Sequence, residues 1–288
     1  MANGEKHLFL VEPLGFCGGV KHALELFDKI AAQNPDEHIY VFQELVHNSI
    51  VTDAMRKRNA VFVESIDDIP HNAITLFGAH GVGAAVEEEA RKRNLRCYDA
   101  VCPLVLRLQQ NAVSAPENLP LILFGDRQHP EIKSVLGRTS SRQVFILEKL
   151  EDVEKLPSME DALFLCQTTR NQQEVRQLAA LLKKRIPHLH DMASVCDAVA
   201  LRQAAIAELA PKCDLMLVVS SPHSSNGRRM LSIAKEKCPR AMLVEDGDDL
   251  GEEDLEGVCN VGVSSATSTP DCTINAVIAK LEALGYVR

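Results

Sequence analysis

Three cysteines each stand where a short apolar run gives way to a helical pattern. Cys17 follows HLFLVEPLGF and opens GGVKHALELFDKIA. Cys102 follows LRCYDAV and opens PLVLRLQQNAV, and Cys196 follows LHDMASV and opens DAVALRQAAIAELA. They lie 85 and then 94 residues apart. A thiol repeated in one local context suggests similar units that each bring one sulfur to a shared centre. Thiolate is the preferred protein ligand of iron–sulfur clusters, whose cubane form normally takes four. Three ligands would leave one iron open to water or a substrate. Three thiolates and an open position also suit a catalytic zinc, and three buried cysteines at domain seams would give the same spacing. The cluster is the favoured reading.

Polar residues recur at matching distances from these cysteines. His47, His129 and Ser224 follow Cys17, Cys102 and Cys196 by 30, 27 and 28 residues, and His80, Thr168 and Ser268 follow them by 63, 66 and 72. With Asn48, Ser225 and Asn226 alongside, these loops offer imidazole, hydroxyl and amide groups. Such groups and helix N-terminal amides can hold a diphosphate without an arginine clamp. The same Ser, Thr and Asn would also serve as plain helix caps. A further set combines GDRQHPE at 125–131 with QTT at 167–169. A carboxyl such as Glu131 in a water-poor cavity has a raised pKa and can deliver a proton near neutral pH. Thr168 could orient it; the alternative is a solvated turn with a helix-capping Glu. FGAHGVG lacks the glycine frame and the Lys-Ser/Thr pair of a nucleotide loop.

The elements that must position these residues alternate between short β-branched runs and segments of helical period. The first unit reads helix, strand IYVFQE, the His47 loop, helix SIVTDAMRKR, strands AVFVE and AITLFGAH, helix AAVEEEARKR and strand LRCYDAV. The second repeats that order from Cys102 through LHDMASV. The third runs from Cys196 but lacks a closing strand, which the opening HLFLVE could supply. Three similar α/β lobes with small, mainly parallel sheets are therefore expected, over 15–101, 102–195 and 196–288, the last completed by the strand within 1–14. Parallel sheets carry helices on their faces, and ligands gather beyond the carboxyl ends of their strands. Packed about a pseudo-threefold axis as a cloverleaf, the three lobes would turn cysteines and polar loops toward one central cavity.

A chain of 288 residues can bury a large core. Its formal charge of −9 argues against a nucleic-acid binder, which needs a basic surface. No apolar run approaches the ~18–20 residues that span a bilayer, and MANGEKHLFL lacks the apolar stretch of a secretory signal. A cytoplasmic protein with no membrane partner is expected. Nine cysteines without any CxxC exclude zinc ribbons and thioredoxin-type pairs. Cys97, Cys166, Cys213, Cys238, Cys259 and Cys272 are expected to be buried structural thiols.

In chain order, GFCGGV, ELVHN, AHGV, DAVCPLV, HPE, QTT, CDAVALRQ, SSN and STPD resemble the motifs of the LytB family of 4-hydroxy-3-methylbut-2-enyl diphosphate reductases, over nearly the whole chain. The resemblance implies a three-lobed α/β cloverleaf and a [4Fe–4S] enzyme that takes two electrons from a ferredoxin or flavodoxin. It implies an allylic diphosphate substrate whose hydroxyl leaves as water, giving isopentenyl and dimethylallyl diphosphates. The family's cluster ligands fall on Cys17, Cys102 and Cys196. Its diphosphate contacts fall on His47, His80, His129, Ser224, Ser225, Asn226 and Ser268. Its proton-delivering glutamate falls on Glu131, supported by Thr168 and Gln167.

Some residues depart from the family's pattern. Its threonine in CxATxxRQ is Val199 here, which removes a hydroxyl that helps hold substrate. Ala100-Val101-Cys102-Pro103 stands for the usual ATCP, and LRLQQ for a TKVH-like run. Many members continue past the point where this sequence stops at Arg288. An iron–sulfur paralogue with another small-molecule substrate is the alternative these departures suggest, and a non-catalytic metal-binding protein is a third.

Overall fold

The computed structural model describes residues 5–46 and 48–288. His47, one of the expected diphosphate contacts, lies outside the described residues. β1 (His7–Leu10) leads to α1 (Gly18–Gln33). There follow β2 (Ile39–Phe42), α2 (Ser49–Arg56), β3 (Ala60–Val63), β4 (Ile74–Phe77), α3 (Ala84–Lys92) and β5 (Arg96–Asp99). The same order returns as α4 (Pro103–Ser114), β6 (Leu121–Phe124), α5 (Pro130–Leu136), β7 (Val144–Leu147), β8 (Asp161–Cys166), α6 (Gln172–Arg185) and β9 (His188–Asp191). It returns again as α7 (Asp197–Leu209), β10 (Leu215–Val219), α8 (Ser225–Lys237), β11 (Arg240–Val244), β12 (Asn260–Ser265) and α9 (Asp271–Ala283).

These strands form three four-stranded sheets of one design: β3-β2-β4-β5, β7-β6-β8-β9 and β11-β10-β12-β1. Every pairing is parallel. The opening strand does supply the missing edge, with Leu8 opposite Val261 and Leu10 opposite Val263. Central strands such as LILF, DALFLC and LMLVV are buried along almost their whole length, as parallel strands covered on both faces must be. Strand order reverses between β2 and β4, between β6 and β8, and between β10 and β12. Right-handed crossovers then send the neighbouring helices to opposite faces, which opens a crevice at the carboxyl ends of each pair. All six polar loops of the repeat start at these ends.

By internal contacts the chain divides into two compact units. One gathers the N-terminal segment through Gly18, the segment ending at Val51, and Asp197–Arg288; the other gathers Gly19–Val46 and Thr52–Cys196. Among the described residues no helix is long and apolar enough to cross a membrane.

Burial of the six remaining cysteines is divided. Cys166, Cys213 and Cys238 are buried, Cys259 is half-buried, and Cys97 and Cys272 are exposed. The last two correct the expectation of buried thiols. Cys97 sits on β5, an edge strand whose residues are mostly exposed. Cys272 opens α9 on the side away from the buried Ile274, Val277, Ile278 and Leu281. A second feature was not expected: β3, β7 and β11 each run into a short 3₁₀ turn. In the second and third lobes one aspartate folds that turn back on itself. Asp152 accepts from the Glu148 and Lys149 amides (3.0 and 3.1 Å), and Asp249 from the Glu245 and Asp246 amides (2.7 and 3.1 Å).

Candidate active site

The three cysteines occupy equivalent places in their lobes. Each donates its amide to the carbonyl two residues beyond the third strand of a sheet: Cys17 to Thr267 (3.1 Å), Cys102 to Ala79 (3.0 Å) and Cys196 to Thr168 (2.9 Å). Each then precedes a helix, and Cys102 is the N-cap of α4 with Pro103 at the first helical position. All three are half-buried, and among the described residues no cysteine forms a disulfide. Burial pushes the Cys166 and Cys213 thiols up to about 12, which keeps them protonated. The donor chemistry of the junction cysteines, three equivalent thiols on rigid strand-to-helix corners, fits the thiolate ligation of an iron–sulfur cluster. Among the described residues no three His, Cys, Asp or Glu side chains gather as ligands of a single metal ion.

In the second sheet, the loops after β6 and β8 meet around Glu131. His129 caps α5: its Nδ1 accepts from the Glu131 amide at 3.2 Å, so the neutral ring carries its proton on Nε2. Pro130 holds the first helical position. Glu131 is 1% exposed. Its Oε1 accepts from the Thr168 amide at 2.6 Å and its Oε2 is 2.9 Å from the Thr168 hydroxyl. Burial raises its carboxyl to about 7; the two Thr168 contacts oppose that rise without cancelling it. Gln167 ties the loops together, accepting from the Asp126 amide (3.0 Å) and donating to the Thr169 hydroxyl (2.7 Å).

The first sheet brings His80 to the same place. Its ring lies 5.1 Å from that of His129, edge to face. Two features hold the AHGV loop there. Gly81 has φ +69°, and a side chain on it would strike Gln109 and Val101. Gly83 and Gly137 touch backbone to backbone: a Cβ on Gly137 would lie 2.9 Å from the Gly83 Cα. Arg138 completes the joint by donating to the Val82 carbonyl (3.0 Å) and pairing with Glu87. Gln109, where the family pattern usually ends its TKVH-like run, donates to Ser134 (3.0 Å), whose hydroxyl donates to the Glu131 carbonyl (2.7 Å).

In the third sheet, the loops after β10 and β12 present the N-terminus of α8. Ser224 caps it, accepting from the Gly227 amide at 3.2 Å. Gly227 admits no side chain because Ser220 fills that space. Ser224, Asn226 and Ser268 are buried and Ser225 is half-buried. The Asn226 amide nitrogen reaches Thr267 Oγ1 at 3.5 Å, and its Oδ1 has no hydrogen-bond partner. A helix N-terminus with buried hydroxyl and amide groups favours an anion. Val199 is buried in the first turn of α7.

Sequence reasoning missed the joint between Gly83 and Gly137, the Gln109–Ser134 link and the buried Arg202. The first two involve residues too ordinary to stand out. Arginine at a buried helix position was a signal that could have been read, since such a charge needs acceptors.

A family described as "LytB protein" matches residues 8–282. The chain is 36% identical over 285 residues to 4-hydroxy-3-methylbut-2-enyl diphosphate reductase of Actinobacillus succinogenes, covering 96% of this chain and 90% of that one. It is 33% identical over 290 residues to 4-hydroxy-3-methylbut-2-enyl diphosphate reductase 2 of Burkholderia mallei, covering 99% and 88%. The solved E-1-hydroxy-2-methyl-but-2-enyl-4-diphosphate reductase of Plasmodium falciparum superposes with a TM-score of 0.93 at 31% identity, over 99% of this chain and 91% of that one. The family match over residues 8–282, the relatives above 30% identity over nearly the whole chain and the superposed structure have one conclusion: this chain belongs to the LytB family.

Proposed function

We propose that this chain reduces 4-hydroxy-3-methylbut-2-enyl diphosphate to isopentenyl and dimethylallyl diphosphates. The conversion replaces an allylic hydroxyl by hydrogen, consumes two electrons and two protons, and releases water. One observation carries the proton chemistry: a fully buried Glu131, held at both oxygens by Thr168, its carboxyl raised by burial to about 7. Such a carboxyl can hand a proton to a departing hydroxyl.

Cys17, Cys102 and Cys196 would hold a [4Fe–4S] cluster. When bound, that cluster supplies the electrons and an open iron. Ser224, Ser225, Asn226 and Ser268 bind and orient the diphosphate at the α8 N-terminus, with His47, His80 and His129 as further donors. Thr168 orients the Glu131 carboxyl, His129 holds the turn that carries it, and Gln167 fixes the two loops on either side. A ferredoxin or flavodoxin supplies electrons, and the protein works in the cytoplasm. The lobes are 15–101, 102–195, and 196–288 with the N-terminal strand.

The test is anaerobic purification with iron and sulfide analysis, followed by turnover of the hydroxymethylbutenyl diphosphate with a reduced viologen dye. A full cluster and no turnover would overturn the assignment. One observation favours a second reading, an iron–sulfur paralogue for another small molecule: buried Val199 stands where the family usually has a substrate-holding threonine. Rescue of a cell that lacks its own reductase decides between the two.

A further inference from the structure

The three cysteine corners differ in how far the chain must travel from strand to thiol. Between strand end and cysteine lie residues 100–101 for Cys102, 192–195 for Cys196 and 11–16 for Cys17. The two shorter loops are stapled by the last residue of their strand. Asp99 accepts from the Val101 amide (2.9 Å) and Asp191 from the Ala193 amide (3.4 Å). The equivalent residue before Cys17 is Leu10, which can accept nothing through its side chain.

The longest loop is held by a different device. Arg202 on α7 is 3% exposed. Its guanidinium donates to the Gly15 carbonyl at 2.8 Å, to the Leu14 carbonyl at 3.5 Å and, within its own helix, to the Ala198 carbonyl at 2.9 Å. Ser265 accepts from the Gly15 amide at 2.8 Å. Gly15, two residues before Cys17, is therefore held through both its amide and its carbonyl. Gly15 itself has φ +76°, a conformation that a side chain would strain. Nη2 meets both loop carbonyls while Nη1 ties the same plane to the helix, an arrangement that a lysine ammonium, a single point donor, does not reproduce.

We propose that Arg202 is the positioning residue for Cys17, doing for the longest corner what Asp99 and Asp191 do for the shorter two. This rests on the reading of Cys17 as a cluster ligand only for its functional consequence. A ligand on a loose six-residue tether meets its iron less often, so loss of the clamp weakens metal retention through one sulfur of the three.

The test uses the full chain in its metal-free form, with alkylation by iodoacetamide followed cysteine by cysteine. Arg202→Gln should speed labelling of Cys17 by about tenfold or more, the scale of losing hydrogen bonds to a charged donor. Cys102 and Cys196 should stay within about twofold, so that the ratio, not the absolute rate, reports the clamp. Arg202→Lys should fall between, because it keeps the charge and loses the simultaneous tie to the Ala198 carbonyl. If Arg202→Gln does not fold, Arg202→Lys and Ser265→Ala, which removes the opposite grip on Gly15, carry the same expectation in weaker form. Arg142→Gln is the control. Arg142 also grips carbonyls, those of Ala112, Ala115 and Pro116, and its loss should lower Tm without changing the Cys17 ratio. After anaerobic reconstitution the Arg202 variants should retain less iron than the Arg142 variant. An unchanged Cys17 ratio, or equal acceleration at all three cysteines, overturns the proposal. A Cys17→Ser variant with full iron would instead sink the cluster assignment and leave the labelling result standing.

Discussion

The loop pair after β6 and β8 and the loop pair after β10 and β12 hold equivalent positions in their sheets, yet they are organised oppositely. Around Glu131 the side chains bond to one another and to the backbone amides of the same two loops: Gln167 to the Asp126 amide and the Thr169 hydroxyl, Glu131 to the Thr168 amide and hydroxyl, His129 to the Glu131 amide. At the α8 N-terminus the cap is made, but buried Asn226 keeps an Oδ1 that has no hydrogen-bond partner. The first pair has the side chains of Glu131, Thr168 and Gln167 bonded before any ligand arrives, as a group that must hold one proton in one direction requires. The second holds a donor only loosely, the Asn226 amide nitrogen at 3.5 Å from Thr267 Oγ1, and an anion at the α8 N-terminus could take it over.

The sharpest way to break this contrast is Glu131→Gln. The amide can keep both Thr168 contacts, with the Thr168 hydroxyl now accepting, but it has no acidic proton. General acid catalysis is worth about 10²–10⁴-fold, so kcat should fall by that order while iron content and substrate binding persist. Full activity in a variant with its iron intact would sink the assignment. The pH profile gives the same test without mutation. With its carboxyl raised to about 7, Glu131 is competent below that value, and kcat should decline above it as the proton is lost. The linkage has the same sign. The folded chain holds this proton more tightly than the unfolded one, so its contribution to stability is full below the ordinary carboxylate value of 4.5 and is lost as pH rises to about 7.

Asn226→Ala tests the other half of the contrast. Pyrophosphate competition should weaken by about 1–3 kcal/mol if the amide meets the anion; unchanged inhibition would return Asn226 to packing alone. Next in size is Ser224→Ala, which deletes the α8 cap. Loss of such a cap costs about 1 kcal/mol, readable as a small drop in denaturant midpoint, together with weaker pyrophosphate binding. The smallest effects belong to Cys97→Ser and Cys272→Ser. Both thiols are exposed, so stability should move by no more than about 0.5 kcal/mol and iron content not at all. A loss of iron in either would show that the cysteine corners are not the whole ligand set.

Much of the architecture could be read from periodicity because parallel strands covered on both faces are continuous apolar runs, and LILF, LFLC and LMLVV announce themselves. The closing role of HLFLVE was legible for the same reason: the third unit was one strand short. The edge strands RCYD and HLHD were legible too, but their exposure was not: they are exposed along most of their length, so Cys97 lacks the burial expected of it. In the site, HPE and QTT were legible as partners because both follow strands of one sheet. The Gly83–Gly137 joint and the Arg202 clamp were not, because each joins residues distant in sequence through backbone atoms. No side-chain type at Leu14, Gly15 or Gly137 foretells that a carbonyl or a Cα there will be a contact.

The strand that completes the third sheet is made first and used last. During synthesis the first and second sheets can close on strands that are neighbours in the chain, whereas β1 pairs with β12, nearly a chain length away. Until β12 leaves the ribosome, β1 has no place in any of the three sheets, and pairings of such sequence separation form slowly. The third sheet is therefore the last of the three that can close. Because Cys17 is tethered to β1 by the 11–16 loop, with its amide bonded to Thr267 just past β12, its corner is the last of the three to be assembled.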